Sequence, residues 1–136
     1  MMLVSAGNTD FNILDEQKYL DTLAVSSMQS PTQAVNAIAV GAYTELTFSN
    51  REGWTAIAPP QGMSPMTRTS VMWRGKNPKP DIVMEGGNAA HHEILGNAEL
   101  QEISMVSTNH EIPQRPLRLF NQTSAATALA ARLAAR

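Results

Sequence analysis

Asn121-Gln122-Thr123-Ser124-Ala125-Ala126-Thr127-Ala128-Leu129-Ala130-Ala131-Arg132-Leu133-Ala134-Ala135-Arg136 is the stretch that decides how this chain is read. Alanine fills seven of its sixteen positions, and alanine is the strongest helix former. The pattern predicts a helix over Thr123–Arg136. Thr123 or Ser124 supplies an N-cap hydroxyl. Arg132 and Arg136 fall near the C-terminal end, where cations suit the helix dipole.

Working back from that helix, three apolar runs read as strands. Met1–Ala6 is continuous and ends at Gly7-Asn8, as expected of a strand buried on both faces and closed by a turn. Ala37–Tyr43 is a second buried strand, and Asp81–Met84 a short third one. Glu85-Gly86-Gly87-Asn88 comes next as a loop whose glycines permit close backbone approach. Leu117–Phe120 is a further extended segment. Asp10–Asp21 mixes charges with Phe11, Ile13, Leu14, Tyr19 and Leu20, which suits a surface loop or a short helix. Ser30-Pro31 marks a turn, and Ser49–Gly75 is punctuated enough to be irregular. Residues 81–111 carry six acidic side chains and no Lys or Arg, a solvated face with a helix expected around Leu95–Val106. Strands separated by loops and helices give an α/β layer architecture.

Composition narrows the function. The chain has 136 residues, the size of one domain, and 10 basic against 12 acidic side chains. That balance lacks the basic surplus of a nucleic-acid binder, so no nucleic-acid partner is expected. Cysteine is absent, which excludes disulfides, zinc ribbons and thiol nucleophiles. No apolar run approaches the roughly 20 residues of a membrane helix, so no membrane partner is expected. Met1–Gly7 lacks the basic leader of a secretory signal. The glycines form neither a dinucleotide fingerprint nor a Walker loop, and the GxSxG elbow is missing. No cofactor is implied. His91-His92-Glu93 and His110 are possible ligand types. Adjacent histidines point apart on any regular element, however, and no HExxH spacing exists, so no metal site is expected.

One pairing could carry chemistry. Ser124 opens a helix, so its hydroxyl shares space with unpaired N–H groups and the positive dipole end. Acyl transfer needs a nucleophile there and donors for a developing oxyanion. Asn8, at the end of a buried strand, carries a side-chain N–H of the required kind. The plain alternative is that Ser124 is a cap and Asn8 a turn residue.

Four segments in order then resemble the subtilisin-like serine proteases (subtilases). They are Val4-Ser5-Ala6-Gly7-Asn8, Ala37-Ile38-Ala39-Val40-Gly41-Ala42, Lys79-Pro80-Asp81-Ile82-Val83-Met84-Glu85-Gly86-Gly87 and Asn121-Gln122-Thr123-Ser124-Ala125-Ala126. The likeness spans Val4–Ala135. It implies a three-layer fold with a mostly parallel sheet and a buried helix, and it gives the small side chains of that helix a reason. It implies that Ser124 is the nucleophile and Asn8 the oxyanion donor. Ser5, Ala6 and Gly7 would wall the specificity pocket, with Thr123 preceding the nucleophile. The implied substrate is a peptide or protein. Gln122 stands where the family usually has Gly. Thr127-Ala128-Leu129 replaces Pro-His-Val, and Glu85-Gly86-Gly87 replaces Ala-Pro-Gly. The family's triad Asp and His both precede the oxyanion Asn, whereas seven residues precede Asn8 here. The resemblance therefore implies that residues 1–136 are the C-terminal portion of a catalytic domain, inactive alone, with the missing N-terminal part as a partner. The competing expectation is a non-catalytic module that pairs with another chain.

Overall fold

The computed structural model describes residues 1–10, 12, 18–73 and 77–136. Its centre is β2 (Ile38–Thr44), a run of small and β-branched residues that is buried over most of its length. β1 (Leu3–Ser5) lies parallel to its first half, Leu3 opposite Ile38 and Ser5 opposite Val40. β5 (Ile82–Glu85) lies parallel on the other side, Val40 opposite Ile82 and Tyr43 opposite Glu85. β4 (Gly62–Met63) pairs antiparallel with Tyr43 and Thr44, beyond the point where β1 has left the sheet. That departure at Ala6 frees Gly7 and Asn8 to turn toward the helix end.

Among the strands of the described residues, parallel pairing is confined to β1, β2 and β5, with one isolated parallel bridge between Ser27 and Thr69. Elsewhere the described sheets are antiparallel. β3 (Thr55–Ala56), β6 (Ala90–His92) and β7 (Gly96–Ala98) form one, and β8 (Val106–Thr108) with β9 (Leu117–Leu119) the other. The architecture is α/β with mixed sheets. β1 is only half-buried, contrary to the expectation of burial on both faces, because it sits at the edge with β2 as its one neighbour among the described residues.

The helix expected around Leu95–Val106 is absent. His92 Nδ1 accepts the N–H groups of Ile94 (3.1 Å) and Leu95 (3.3 Å), closing a turn that pairs β6 with β7. A 3₁₀ turn at Gln101–Ile103 is the helical structure that remains there. His91 and His92 accordingly lie on a strand. Of the Asp10–Asp21 segment, Phe11, Ile13 and Leu14 lie outside the described residues, as does Gly75. The helix in that region, α1 (Tyr19–Val25), buries Tyr19 and Leu23. They pack with Ile57, Ala58, Met66 and Ala89 into one apolar cluster.

α2 (Gln122–Ala134) packs through Ala126 and Ala130 on Val40 and Ala42, with Leu3 and Met84 at the margins. Its burial is one-sided, and Ala131–Arg136 are exposed. The N-cap is Asn121 rather than Thr123 or Ser124. Two glycines seat this end. A Cβ on Gly86 would collide with Ala42 Cβ. One on Gly87, whose φ is +79°, would meet Asn121 Oδ1. Only glycine fits such a backbone and such an approach.

Candidate active site

The site forms where the first strand ends and α2 starts. Ala6 N–H donates to Val40 O (2.8 Å), the last tie of β1 to the sheet. The chain then turns at Gly7, and the segment Met66–Arg68 clamps Asn8 and Thr9. Thr9 N–H donates to Met66 O (2.9 Å), and Arg68 Nε donates to Asn8 O (2.8 Å). A second Arg68 nitrogen donates to Ser27 O (3.0 Å), so one guanidinium fixes two loops. Its planar fork of donors suits that task. Nothing local in Ser64-Pro65-Met66-Thr67-Arg68 signals the role, because its partners are carbonyls some 40 to 60 residues away.

The Asn8 side chain therefore leaves the turn in a fixed direction and reaches α2. Its Oδ1 accepts the Thr123 hydroxyl (2.8 Å) and the Thr123 N–H (3.1 Å). With the oxygen so engaged, the amide end points outward, and Nδ2 donates to Gln122 Oε1 at 2.9 Å. Thr123 is buried, and its hydroxyl satisfies Asn8 rather than capping the helix. One of the N–H groups left unpaired at a helix start is thus met by a side chain 115 residues earlier in the chain.

Ser124 is the next residue, on the exposed side of the first turn. It lines a cavity of about 190 Å³ with Glu99, Arg118, Phe120 and Gln122. Ser5, Ala6 and Gly7 line a separate cavity of about 240 Å³, together with Asn8, Thr32 and Arg68. Every residue expected at the site thus lies in this region. Asn8 and Thr123 touch, Ser124 is the adjoining residue, and Ser5–Gly7 border the neighbouring cavity.

Supporting groups complete it. The Asn121 side chain is turned away from its own helix. Its Nδ2 donates to Ser104 Oγ (2.8 Å), and its Oδ1 accepts the Met105 N–H (3.0 Å). Glu85, the last residue of β5, accepts the Gly87 N–H (2.8 Å) and the Glu45 N–H (2.7 Å). Burial raises the Glu99 carboxyl above the ordinary range, partly countered by a hydrogen bond from Asn121. Glu99 and Glu85 depart from the solvated acidic face expected of residues 81–111.

Gln122 is the departure with the largest structural effect. Its φ is +77°, in the left-handed region that a non-glycine residue enters at a cost of about 1–2 kcal/mol. Its N–H donates to Gly86 O (2.8 Å), which locks the backbone there. Among the described residues no group of three or more His, Asp or Glu is placed to hold a metal ion. Likewise, no helix among them is long and apolar enough to cross a membrane.

No curated protein and no solved structure gives a significant match to the chain. The sequence model described as the subtilase family matches residues 1–136, the whole of it. The α/β fold agrees with that match, and the chain belongs to the subtilases, a family of serine peptidases.

Proposed function

We propose that residues 1–136 are the C-terminal portion of a subtilase catalytic domain, contributing nucleophile and oxyanion donor to a serine endopeptidase. The supporting observation is the contact of Asn8 with Gln122 and Thr123, which sets a side-chain amide beside the helix end that bears an exposed serine. In this reading Ser124 Oγ attacks a peptide carbonyl. The developing oxyanion takes hydrogen bonds from Asn8 Nδ2 and the Ser124 N–H. Ser5, Ala6 and Gly7 wall the pocket for the residue before the cleaved bond. The triad Asp and His come from an N-terminal part of the domain, completing a three-layer fold whose main sheet is mostly parallel.

A serine hydroxyl without a base is a poor nucleophile at neutral pH. The isolated chain should therefore resist a fluorophosphonate probe, and adding the N-terminal part should restore labelling at Ser124. Strong labelling of the isolated chain would overturn its predicted inactivity. If S124A labels like the parent in the completed domain, Ser124 is not the nucleophile; if the completed domain does not label at all, the non-catalytic pairing module becomes the better reading. In the completed domain N8A should lower kcat by roughly 10²–10³-fold, a magnitude taken from a subtilisin. KM should change little, because the donor acts on the transition state.

A further inference from the structure

We propose that Gln122 is a built-in plug. Its side-chain carbonyl occupies the Asn8 amide that an incoming substrate carbonyl would use, and it must swing aside before a peptide bond can engage Ser124. This rests on the assignment of Ser124 as nucleophile and Asn8 as oxyanion donor.

Four observations carry it. Asn8 Nδ2 donates to Gln122 Oε1 at 2.9 Å, so the acceptor is a carboxamide oxygen, chemically the same group as a peptide carbonyl. The Asn8 amide cannot turn away to avoid this partner, because Thr123 holds Oδ1 through both its N–H and its hydroxyl. The Gln122 backbone is fixed by its bond to Gly86 O and by its left-handed φ of +77°. Opening therefore falls to the side-chain torsions of a half-buried residue, which relax quickly. Finally, Asn8 lines the cavity walled by Ser5–Gly7, whereas Gln122 and Ser124 line the other. The Asn8–Gln122 bond lies on the border between them. A bound peptide running from one cavity to the other would place its scissile carbonyl at that border.

A glycine here would suit the backbone better and leave the donor free. The glutamine accepts strain and closes the site, which makes it a threshold that substrate must exceed. The cost to a ligand is one hydrogen bond, or about a five- to tenfold loss of affinity.

The test uses the 136-residue chain with phenylboronic acid in mildly alkaline buffer. The Ser124 oxygen bonds to the trigonal boron, the hydroxyl proton passes to buffer, and a tetrahedral boronate anion forms with an oxygen facing Asn8. Two variants remove the plug. Q122G relieves the backbone. Q122N tolerates the left-handed φ and keeps a carboxamide, but is one methylene too short to reach. Both should bind the boronic acid about five- to tenfold more tightly than the parent, and S124A should lose binding. In ¹⁵N–¹H spectra one Asn8 Nδ2 proton should move upfield and exchange faster in both variants. Equal affinity in parent and variants, with binding still lost in S124A, would overturn the plug while leaving Ser124 as nucleophile. Unchanged Asn8 side-chain resonances would also overturn it. Binding indifferent to S124A would overturn the nucleophile assignment and the plug with it; if the chain without its base binds no boronic acid, the Asn8 side-chain resonances alone decide the plug.

Discussion

Gly87 and Asp81 show how single residues hold the site in place. A methyl group on Gly87 would collide with Asn121 Oδ1, on a backbone already at φ +79°. Asn121 in turn anchors Ser104 and Met105. G87A should therefore destabilise the chain by about 2–4 kcal/mol, read as a lower midpoint in urea unfolding. Asp81 works at the other end of β5. Burial pushes its carboxyl upward, but this is outweighed by the Lys79 ammonium (2.5 Å) and the Ala39 N–H (2.7 Å), which together hold it below the usual carboxylate range. A depressed folded value means that the contribution is complete above the unfolded value near 4 and is lost as pH falls below it. Unfolding titrations should show stability dropping below about pH 4, and D81N should flatten that drop. Glu99 has the opposite sign. Its raised value means that ionisation opposes folding as pH rises from the unfolded value through the folded one. E99Q should be more stable than the parent at neutral pH, and lose that advantage in acid.

At the scale of elements, α2 is held by shape more than by area. Ala126 is fully buried against Val40 and Ala42. A126L should cost about 1–3 kcal/mol by urea unfolding, while A131L on the exposed face should stay within about 0.5 kcal/mol. Elements governed by one strong local preference were legible in the sequence. β2 follows from Ile38-Ala39-Val40-Gly41-Ala42-Tyr43, β5 from Ile82-Val83-Met84, and α2 from its alanines. Elements made by long-range pairing were not. β4 is two residues long and exists because Tyr43 and Thr44 need a partner after β1 departs. The stretch after Leu95 has a helical pattern, yet the His92 ring captures two N–H groups and turns the chain back. The same division holds at the site. Ser124 and Asn8 carry in their own side chains the groups that the proposed function uses, whereas Arg68 matters only for the carbonyls it reaches.

At the scale of the whole molecule, the described residues form three modest apolar clusters rather than one large core, and the cluster beneath α2 is built largely of alanine and valine. Small side chains bury little area each, so hydrophobic stabilisation is thin. The free energy of unfolding should lie near or below about 5 kcal/mol, the low end for domains. If the N-terminal part of a catalytic domain is its partner, adding that part should raise the thermal midpoint.

The contact between Asn8 and Thr123 also sets an order of events. It joins residues 115 apart, so none of the local pairings that form quickly can create it. A growing chain holds the Ala-Gly-Asn turn long before α2 is made, and domains take shape from their N-terminal side during synthesis. That turn stays incomplete until α2 has wound. Assembly of the site is therefore a late event in folding, and the timing comes from topology alone: the serine arrives only after the scaffold that would receive it already stands.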